Sequence, residues 1–266
     1  MAPDPEAVAP ASPVATAPGG LGYTLAAFLL PLLLYTLTCC RVLYVGDAGD
    51  FNVASWTLGM SHPPGYPIYT VLGWIFQHLP IPGGETEPAF RMNLMSAFFG
   101  AITCGFGYLI LLRLTKVAPL ALLGCFAIAV SRTLWSQSTI TEVYSMNTAF
   151  IVGLWWLTLR FADTGSRSWW QTLLITMSLS LAHHYSILMF FPFMAGYIVW
   201  QRGRLWPGEG KASHSGELAQ ALVLAILPMV ICYSYLPLVD YKTPVPSTQV
   251  QKFDGPGGLA KELKFL

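Results

Sequence analysis

Long apolar runs alternate with short polar segments along most of the chain. A helix needs about 20 mainly apolar residues to cross a bilayer, and seven of the runs approach that length. The pattern therefore predicts an all-α membrane protein whose seven transmembrane helices lie at residues 21–44, 89–112, 117–134, 144–161, 169–182, 185–201 and 216–237. Pro31 falls inside the first of them, where a proline kink is tolerated.

An eighth apolar run, residues 66–79, is too short for a typical span and predicts an interfacial or re-entrant helix. Residues 1–20 are rich in Ala and Pro and lack Lys and Arg, which predicts a disordered tail rather than a signal peptide. Residues 241–266 are rich in Pro, Gly and Lys and predict a second tail. The segment between the tails, residues 21–240, forms one transmembrane module.

Composition agrees with a membrane protein, since 54% of the residues are hydrophobic and 10% are charged, against about 25% charged in soluble domains. The net charge of +1 does not indicate a nucleic-acid partner. All five cysteines lie inside apolar runs, so they are interpreted as small buried side chains rather than as disulfides or zinc ligands.

The positive-inside rule orients the predicted helices. If residues 66–79 do not cross, one side of the membrane receives Arg113, Lys116, Arg160, Arg167, Arg202, Arg204 and Lys211. The other side has Arg41, Arg91 and Arg132 near helix ends. The first side and the N-terminus are therefore predicted to be cytoplasmic, although Arg41 locally opposes this orientation.

This topology brings four polar segments to the outer face, namely residues 46–65, 131–147, 182–186 and 235–240. If residues 66–79 crossed the membrane, the last three segments would move to the cytoplasmic side. A shared site therefore favours a helix that does not cross.

Asp47 and Asp50 open the first of these segments, three positions apart. A helix over residues 47–60 would place them on one face, about one turn apart. They either cap that helix or supply a carboxylate that takes a proton from a hydroxyl. His62 follows in SHPPGYP, a rigid turn that fixes the entry into helix 66–79 or also presents His62 to a ligand.

The later polar residues also allow two interpretations each. Arg91 and Arg132 either snorkel to the membrane interface or bind a lipid phosphate, which suits the guanidinium fork. Glu142 belongs either to an interfacial capping segment or to a site for sugar hydroxyls. His183 and His184 are adjacent and point to different sides of a helix, and their spacing does not support a metal site, so one of them is expected to contact a phosphate.

Five motifs in a fixed order resemble one family: GDAGDFNVASWTLGMSHPPGYPIY, RMNLMSAFFGA, LWSQSTITEVYSMN, LSLAHHYSILM and YSYLPL. They look like the protein O-mannosyltransferase family of the GT-C class of membrane glycosyltransferases. The resemblance implies a seven-span module with its active site on the extracytoplasmic face. It also implies inverting transfer of a sugar, mannose being the best guess, from a polyprenyl- or dolichyl-phosphate carrier to Ser/Thr hydroxyls of proteins.

The resemblance also implies roles for single residues. Asp47 would be the general base, and Asp50, where the family more often has Glu, would be a second catalytic carboxylate or a cap. His62 and the two prolines after it would shape the donor site. The remaining roles are implied for Arg91, His183 and His184 at the carrier phosphate, and for Glu142, Tyr144 and Asn147 in the sugar or acceptor pocket.

No metal or other cofactor is expected, because the lipid-linked sugar acts as a co-substrate. The expected location is a bacterial inner membrane or the endoplasmic reticulum. After residue 240 the chain departs from the family pattern, so an inactive, shortened scaffold is one alternative. A transporter or flippase of a lipid-linked substrate is another, although transporters often bind near the bilayer midplane between repeats, and the chain has no repeat of fixed period.

Overall fold

The computed structural model describes residues 20–81, 88–201 and 214–242, and within these ranges the chain is helical without a strand. The predicted all-α class is confirmed. The helices are α1 (Gly20–Thr38), α2 (Ala48–Thr57), α3 (Pro67–Gln77), α4 (Pro88–Thr115), α5 (Ala118–Ala129), α6 (Arg132–Gln137), α7 (Tyr144–Thr164), α8 (Arg167–Leu181), the 3₁₀ helix Tyr185–Phe190, α9 (Phe191–Trp200) and α10 (His214–Lys242). Apart from residues 20, 241 and 242, the two predicted tails lie outside the described ranges.

Three helical segments are long and apolar enough to cross a membrane: Gly20–Thr38, Pro88–Thr115 and Gln220–Leu238. They indicate that the chain associates with a membrane. The other predicted spans contain helices that are shorter or more polar, such as α5 with its 12 residues. Seven crossings therefore stay a prediction.

Contacts between helix ends establish how the bundle is arranged. Asn93, near the start of α4, donates to the Cys40 carbonyl just after α1 at 2.8 Å. Thr141, just before α7, donates to the Asn93 side chain. We call this the site end. At the opposite end, Arg113 near the end of α4 pairs with Asp163 near the end of α7.

Helices α2 and α3 lie between α1 and α4 in the chain. Because the end of α1 and the start of α4 meet at the site end, the intervening segment leaves and returns to one end of the bundle. Helix α3 has 11 residues, which is about 16 Å of helix, against about 30 Å for a bilayer core. A non-crossing helix at 66–79 was predicted, and a short helix is found there.

The helices at the site end pack on a buried cluster of Phe51, Tyr66, Tyr69, Met92, Met95, Val143 and Met146. Gly73 of α3 allows a close approach to α2, since a Cβ there would clash with the Ser55 hydroxyl of α2. This cluster joins α2 and α3 to α4 and α7. It therefore supports the polar side chains that lie at the same end.

Candidate active site

Asp47 directly precedes α2, but its side chain makes no capping hydrogen bond to that helix. The Asp47 side chain is 58% exposed, and its Oδ2 lies 4.0 Å from Nε2 of His62. The Asp47 side chain therefore does not cap α2. Its carboxylate instead faces an imidazole and solvent.

Asp50 lies in the first turn of α2. One of its oxygens, Oδ2, accepts two hydrogen bonds from His62, from the backbone N–H and from Nδ1, each at 2.8 Å. Because a carboxylate only accepts, the Nδ1 atom must carry the proton in this pair. His62 thus lies between Asp50 and Asp47, and both carboxylates face its ring.

Glu142 belongs to the same electrostatic cluster, although it is far from Asp47 in the sequence. The hydrogen bond that His62 donates to Asp50 is the main cause that raises the pKa of His62, burial opposes it, and the charges of Asp50, Asp47 and Glu142 raise it further. Burial raises the pKa of Glu142, as does the nearby Asp47, while His62 lowers it. Three carboxylates therefore surround one imidazole at the site end.

The turn that presents His62 is fixed by contacts on both sides. Gly65 has a φ of +91°, and a Cβ there would lie 2.7 Å from Leu236 of α10, so glycine suits both the backbone and the close packing. Tyr235 donates to the carbonyl of Leu58 at the start of the same loop. Helix α10 therefore packs directly on the His62 turn, which joins segments 46–65 and 235–240 as predicted.

Tyr66 closes the turn with a φ of +42°, a conformation that is uncommon for a bulky residue and is often found at functional sites. Its ring meets the His62 ring edge to face, with 5.4 Å between centroids. The same ring lies 5.8 Å from His184. Tyr66 therefore connects the carboxylate cluster to the histidine pair after α8, a role that the sequence pattern did not indicate.

His183 and His184 point to different sides, as their adjacency predicts. His183 is fully buried, its Nε2 lies 3.0 Å from the Val143 carbonyl, and burial lowers its pKa to about 3. His184 is half-buried, and its ring lies 6.3 Å from that of Tyr144. Of the two, His184 is the one that a ligand can reach.

Tyr144 and Asn147 lie in the first turn of α7, beside this histidine. The Tyr144 side chain is exposed. Asn147 donates from Nδ2 to the Ser186 hydroxyl at 3.1 Å, and its buried Oδ1 has no hydrogen-bond partner. The structure thus brings the predicted pocket residues Tyr144 and Asn147 to the same end as Glu142.

Arg91 is placed differently from the other predicted site residues. It is 7% exposed, and its Nη1 donates to the carbonyl of Gln77 at the end of α3. Within the described ranges, no hydrogen bond or ion pair joins Arg91 to the carboxylate cluster. Residues 82–87, which immediately precede α4, lie outside those ranges. Arg132 is exposed at the start of α6.

Asn93 is the polar residue that the sequence reasoning missed. It is 1% exposed, donates to the carbonyls of Cys40 and Val42 at 2.8 and 3.2 Å, and accepts from Thr141 at 2.5 Å. It therefore ties the loop before Asp47 to the segment that carries Glu142. The available signal was an amide inside a long apolar helix, since buried polar groups need partners.

Within the described ranges, no group of three or more His, Cys, Asp and Glu side chains has an arrangement that could hold a metal ion. Chemically, the cluster offers an exposed carboxylate next to an imidazole that is itself held by a second carboxylate. Such a carboxylate can accept a proton from a bound hydroxyl.

Comparison with known proteins identifies the family. The model of the "Protein O-mannosyl-transferase TMEM260 N-terminal domain" matches residues 47–206, more than half of the chain. The mouse protein O-mannosyl-transferase TMEM260 is 30% identical over 227 residues, which are 84% of this chain and 31% of that protein. A *Dictyostelium discoideum* protein O-mannosyl-transferase tmem260 is 31% identical over 141 residues, 51% of this chain and 17% of that protein.

The chain thus spans less than a third of the length of either relative. No solved structure matches it significantly. The family match begins at Asp47 and covers the segments that carry His62, Glu142 and His184. The chain therefore belongs to the family of the protein O-mannosyl-transferase TMEM260 N-terminal domain.

Proposed function

We propose that the chain is the membrane module of an inverting glycosyltransferase. It moves a sugar, mannose by the names of its relatives, from a polyprenyl- or dolichyl-phosphate carrier to Ser/Thr hydroxyls of proteins. The observation that carries the proposal is the meeting of exposed Asp47 with His62 at one end of a bundle of apolar helices. A lipid-linked donor explains why this site lies at a membrane.

The proposal includes seven crossings, by α1, α4, α5 with α6, α7, α8, the 3₁₀ helix with α9, and α10, and an extracytoplasmic site end. Contacts along the bundle support alternating directions. Arg167 at the start of α8 meets Gln220 of α10, while Tyr233 of α10 meets Leu181 at the end of α8. These two helices therefore run in the same direction, as the odd-numbered crossings of such a bundle must.

Charge also supports this orientation. The opposite end carries Arg113 and Lys116 between α4 and α5, and Arg160 and Arg167 between α7 and α8. Basic residues concentrate on the cytoplasmic side of membrane proteins. The site end then faces the compartment in which secreted and membrane proteins expose their Ser and Thr side chains.

In the proposed reaction, Asp47 takes the proton from the acceptor hydroxyl as that oxygen attacks the anomeric carbon of the sugar. The bond from that carbon to the carrier phosphate breaks on the opposite side, which inverts the configuration. A positioned base contributes about 10²–10⁴ to the rate of such a step. The 58% exposure of the Asp47 side chain leaves room for a protein acceptor.

The leaving phosphate gains charge, so cations and hydrogen-bond donors that are already in place stabilise it most. We assign this role to His184 and to Arg91, whose buried Nε has no hydrogen-bond partner. Glu142, Tyr144 and Asn147 then hold the sugar or acceptor hydroxyls. Among these, Asn147 offers a buried carbonyl oxygen that still lacks a donor.

The substitution Asp47→Asn tests the proposal, because it keeps the side-chain shape and removes the base. In membranes that contain the full-length protein, transfer from a polyprenyl-phosphate mannose to an acceptor peptide should fall at least about hundredfold. Protein level and carrier binding should stay unchanged. The matched control is Asp163→Asn, which neutralises a carboxylate at the opposite end of the bundle.

Two results would contradict the proposal in different ways. Persistent transfer by Asp47→Asn would exclude Asp47 as the base. A wild-type protein that transfers no sugar from any polyprenyl-phosphate donor would exclude the transferase, and carrier movement across vesicles would then favour a flippase.

A further inference from the structure

Asp50 is largely buried and is hydrogen-bonded to His62, which leaves little of its carboxylate free for a substrate. Its side chain is 13% exposed, and its Oδ2 accepts both the backbone N–H and Nδ1 of His62. Two bonds from one residue to one oxygen fix both the turn and the angle of the imidazole. Asp50 is therefore placed to orient His62 rather than to meet a substrate.

The other edge of the imidazole points to Asp47. Since Nδ1 donates to Asp50, the Nε2 atom carries the lone pair in the neutral ring, and this atom lies 4.0 Å from Asp47 Oδ2. Phe51 and Tyr66 contact the ring with centroids 5.1 and 5.4 Å away. Catalytic hydrogen bonds are often longer before substrate binds, so a small rotation of Asp47 closes this gap.

We propose that Asp50 and His62 form a positioning pair for Asp47, in which Asp50 fixes the imidazole and Nε2 takes up the proton that Asp47 receives from the acceptor. This inference rests on the proposed transferase function. It gives Asp50 a role that differs from both sequence-based alternatives, a second catalytic carboxylate or a helix cap. It also assigns His62 to the general base Asp47, whereas the family resemblance implied a role in shaping the donor site.

The proton balance of the step is complete. The acceptor O–H bond breaks and its proton goes to Asp47, while the new C–O bond forms and the phosphate leaves with the electron pair of the old bond. The proton then moves from Asp47 to Nε2 of His62. Because the His62 side chain is 25% exposed, water can remove the proton before the next turnover.

The charges around His62 favour this uptake. Asp47 lies just before α2 and Asp50 in its first turn, the charge of Glu142 acts on the ring from the segment before α7, and the Tyr66 ring packs against it. His183 and His184 lie beyond Tyr66, with centroids 6.3 and 5.8 Å from it. The three carboxylates stabilise the imidazolium, and the hydrogen bond that His62 donates to Asp50 is the largest cause that raises the pKa of His62.

The first test needs no transferase activity. Diethylpyrocarbonate modifies the neutral imidazole, so the rate at which His62 is labelled, followed by mass spectrometry against pH, reports its protonation. In Asp50→Asn, we expect the midpoint to move to lower pH and labelling at pH 6 to be at least about threefold faster, since the charge-assisted bond is lost. A midpoint that stays in place or rises overturns the proposal.

His78 provides an internal control in the same digest. It is exposed, its ring stacks on that of Trp56 at 4.8 Å, and its Nδ1 bonds the Trp74 carbonyl at 2.7 Å. The rate at which it is labelled should be equal in wild type and Asp50→Asn. A change in the labelling of both histidines would mean a general change in the protein, and would overturn the specific pairing of Asp50 with His62.

The second test measures transfer against pH. Because Nε2 must be neutral to take the proton, wild-type kcat should rise with pH through the raised pKa of His62. In Asp50→Asn this rise should move to lower pH, with maximal kcat about tenfold lower and both KM values within about twofold. In His62→Gln the rise should disappear, whereas His78→Gln should keep the wild-type profile.

The outcomes separate this inference from the function on which it rests. If Asp47→Asn is inactive but neither the labelling midpoint nor the pH profile of Asp50→Asn moves, only the positioning pair is overturned. If the His62 midpoint moves but Asp47→Asn still transfers sugar, the proposed base and the proton route through it are both overturned. A loss in Asp50→Asn that lies in KM alone also overturns the pair, because a positioning role acts on kcat.

Discussion

The two ends of the bundle each contain a carboxylate bonded to a basic side chain. The two pairs differ in whether a further carboxylate lies beside the basic side chain. At the opposite end, Arg113 donates to Asp163 through two parallel bonds of 2.8 and 2.7 Å. At the site end, Asp50 takes both of its bonds from His62, and Asp47 stays 4.0 Å from the far side of the ring.

This difference separates a structural ion pair from a reactive one. A guanidinium stays charged and its fork matches the carboxylate, so the pair of Arg113 and Asp163 holds the ends of α4 and α7 together and does not change protonation near neutral pH. An imidazole changes its protonation near neutral pH. With Asp47 58% exposed beside it, against 23% for Asp163, the site end can accept a proton and a substrate.

The largest effect on stability is expected from removing the side-chain amide of Asn93, which joins the segments of the site end. Asn93→Ala removes the partner of the buried Thr141 hydroxyl and of the carbonyls of Cys40 and Val42. An unsatisfied buried group costs about 1–3 kcal/mol and a lost hydrogen bond about 0.5–1.5 kcal/mol, so the free energy of unfolding should fall by about 3 kcal/mol. Denaturant titration in micelles measures it, and transfer activity should fall as well.

Thr141→Val is the matched control for this change. It removes one hydroxyl from the same cluster but leaves both carbonyl contacts of Asn93. Its loss should be about 1 kcal/mol. If the two variants lose the same free energy, Asn93 does not join the two loops in the way that the structure indicates.

The next largest effect belongs to the opposite end. Arg113→Met leaves Asp163 without its bidentate partner, and the two side chains are 29% and 23% exposed. Breaking buried pairs costs about 3–5 kcal/mol and exposed pairs about 0–1 kcal/mol. After allowing for solvent screening at this partial exposure, we expect a loss of about 1–2 kcal/mol in the free energy of unfolding.

Transfer per folded molecule should not change in Arg113→Met, because the pair lies at the end away from Asp47. The same substitution at exposed Arg132 should cost less stability. An Arg113→Met protein that folds normally but fails to transfer sugar would show that the two ends are coupled, and would remove the distinction drawn between them.

Much of the fold was predictable from the sequence, because the length of an apolar run determines where a membrane helix forms. Helix α2 and the short helix α3 were both expected. The breaks inside two predicted spans were not. Residues 117–134 divide near Ser131, which is extended with a ψ of 138°, and residues 185–201 change from a 3₁₀ helix to α9 next to Pro192, which lacks an N–H.

The meeting of the polar segments at one end of the bundle was predictable from the sequence, but the pairings of their side chains were not. Asp47, Asp50 and His62 stand close together in one motif, so their convergence followed from local spacing. The partner of Asp50 depends on how the turn folds back over α2, and the contacts of Asn93 depend on the rotation of α4. Hydrophobic periodicity fixes the buried face of a helix, but it does not say which polar group lies opposite a given residue.

The pH dependence of stability offers a weaker effect that compares two histidines of the site end. Burial lowers the pKa of His183 to about 3 from 6.5, so its contribution is present above pH 6.5 and is lost as the pH falls towards 3. His62 has a raised pKa. Its contribution to stability is therefore fully present below pH 6.5 and is lost as the pH rises through this raised pKa.

His183→Gln should therefore flatten the loss of stability on the acid side. The amide keeps a donor for the Val143 carbonyl, which His183 now contacts at 3.0 Å. Between pH 6.5 and 5, the wild type should lose up to about 1.4 kcal/mol per pH unit more than the variant. Denaturant titrations at three pH values measure the slopes, His78→Gln is the control, and parallel slopes for wild type and His183→Gln contradict the prediction.

The smallest effect is expected at His184, where two isosteric substitutions separate the roles of the two ring nitrogens. Nδ1 accepts the backbone N–H of Ser186 at 3.2 Å, whereas Nε2 is the nitrogen left for a carrier phosphate. Asn reproduces the position of Nδ1, and Gln reproduces that of Nε2.

A neutral hydrogen bond is worth about 0.5–1.5 kcal/mol, so His184→Asn should raise the donor KM by about threefold to tenfold, and His184→Gln should raise it less. The reverse order would mean that His184 acts on the loop after α8 through Nδ1, and would leave the phosphate to Arg91.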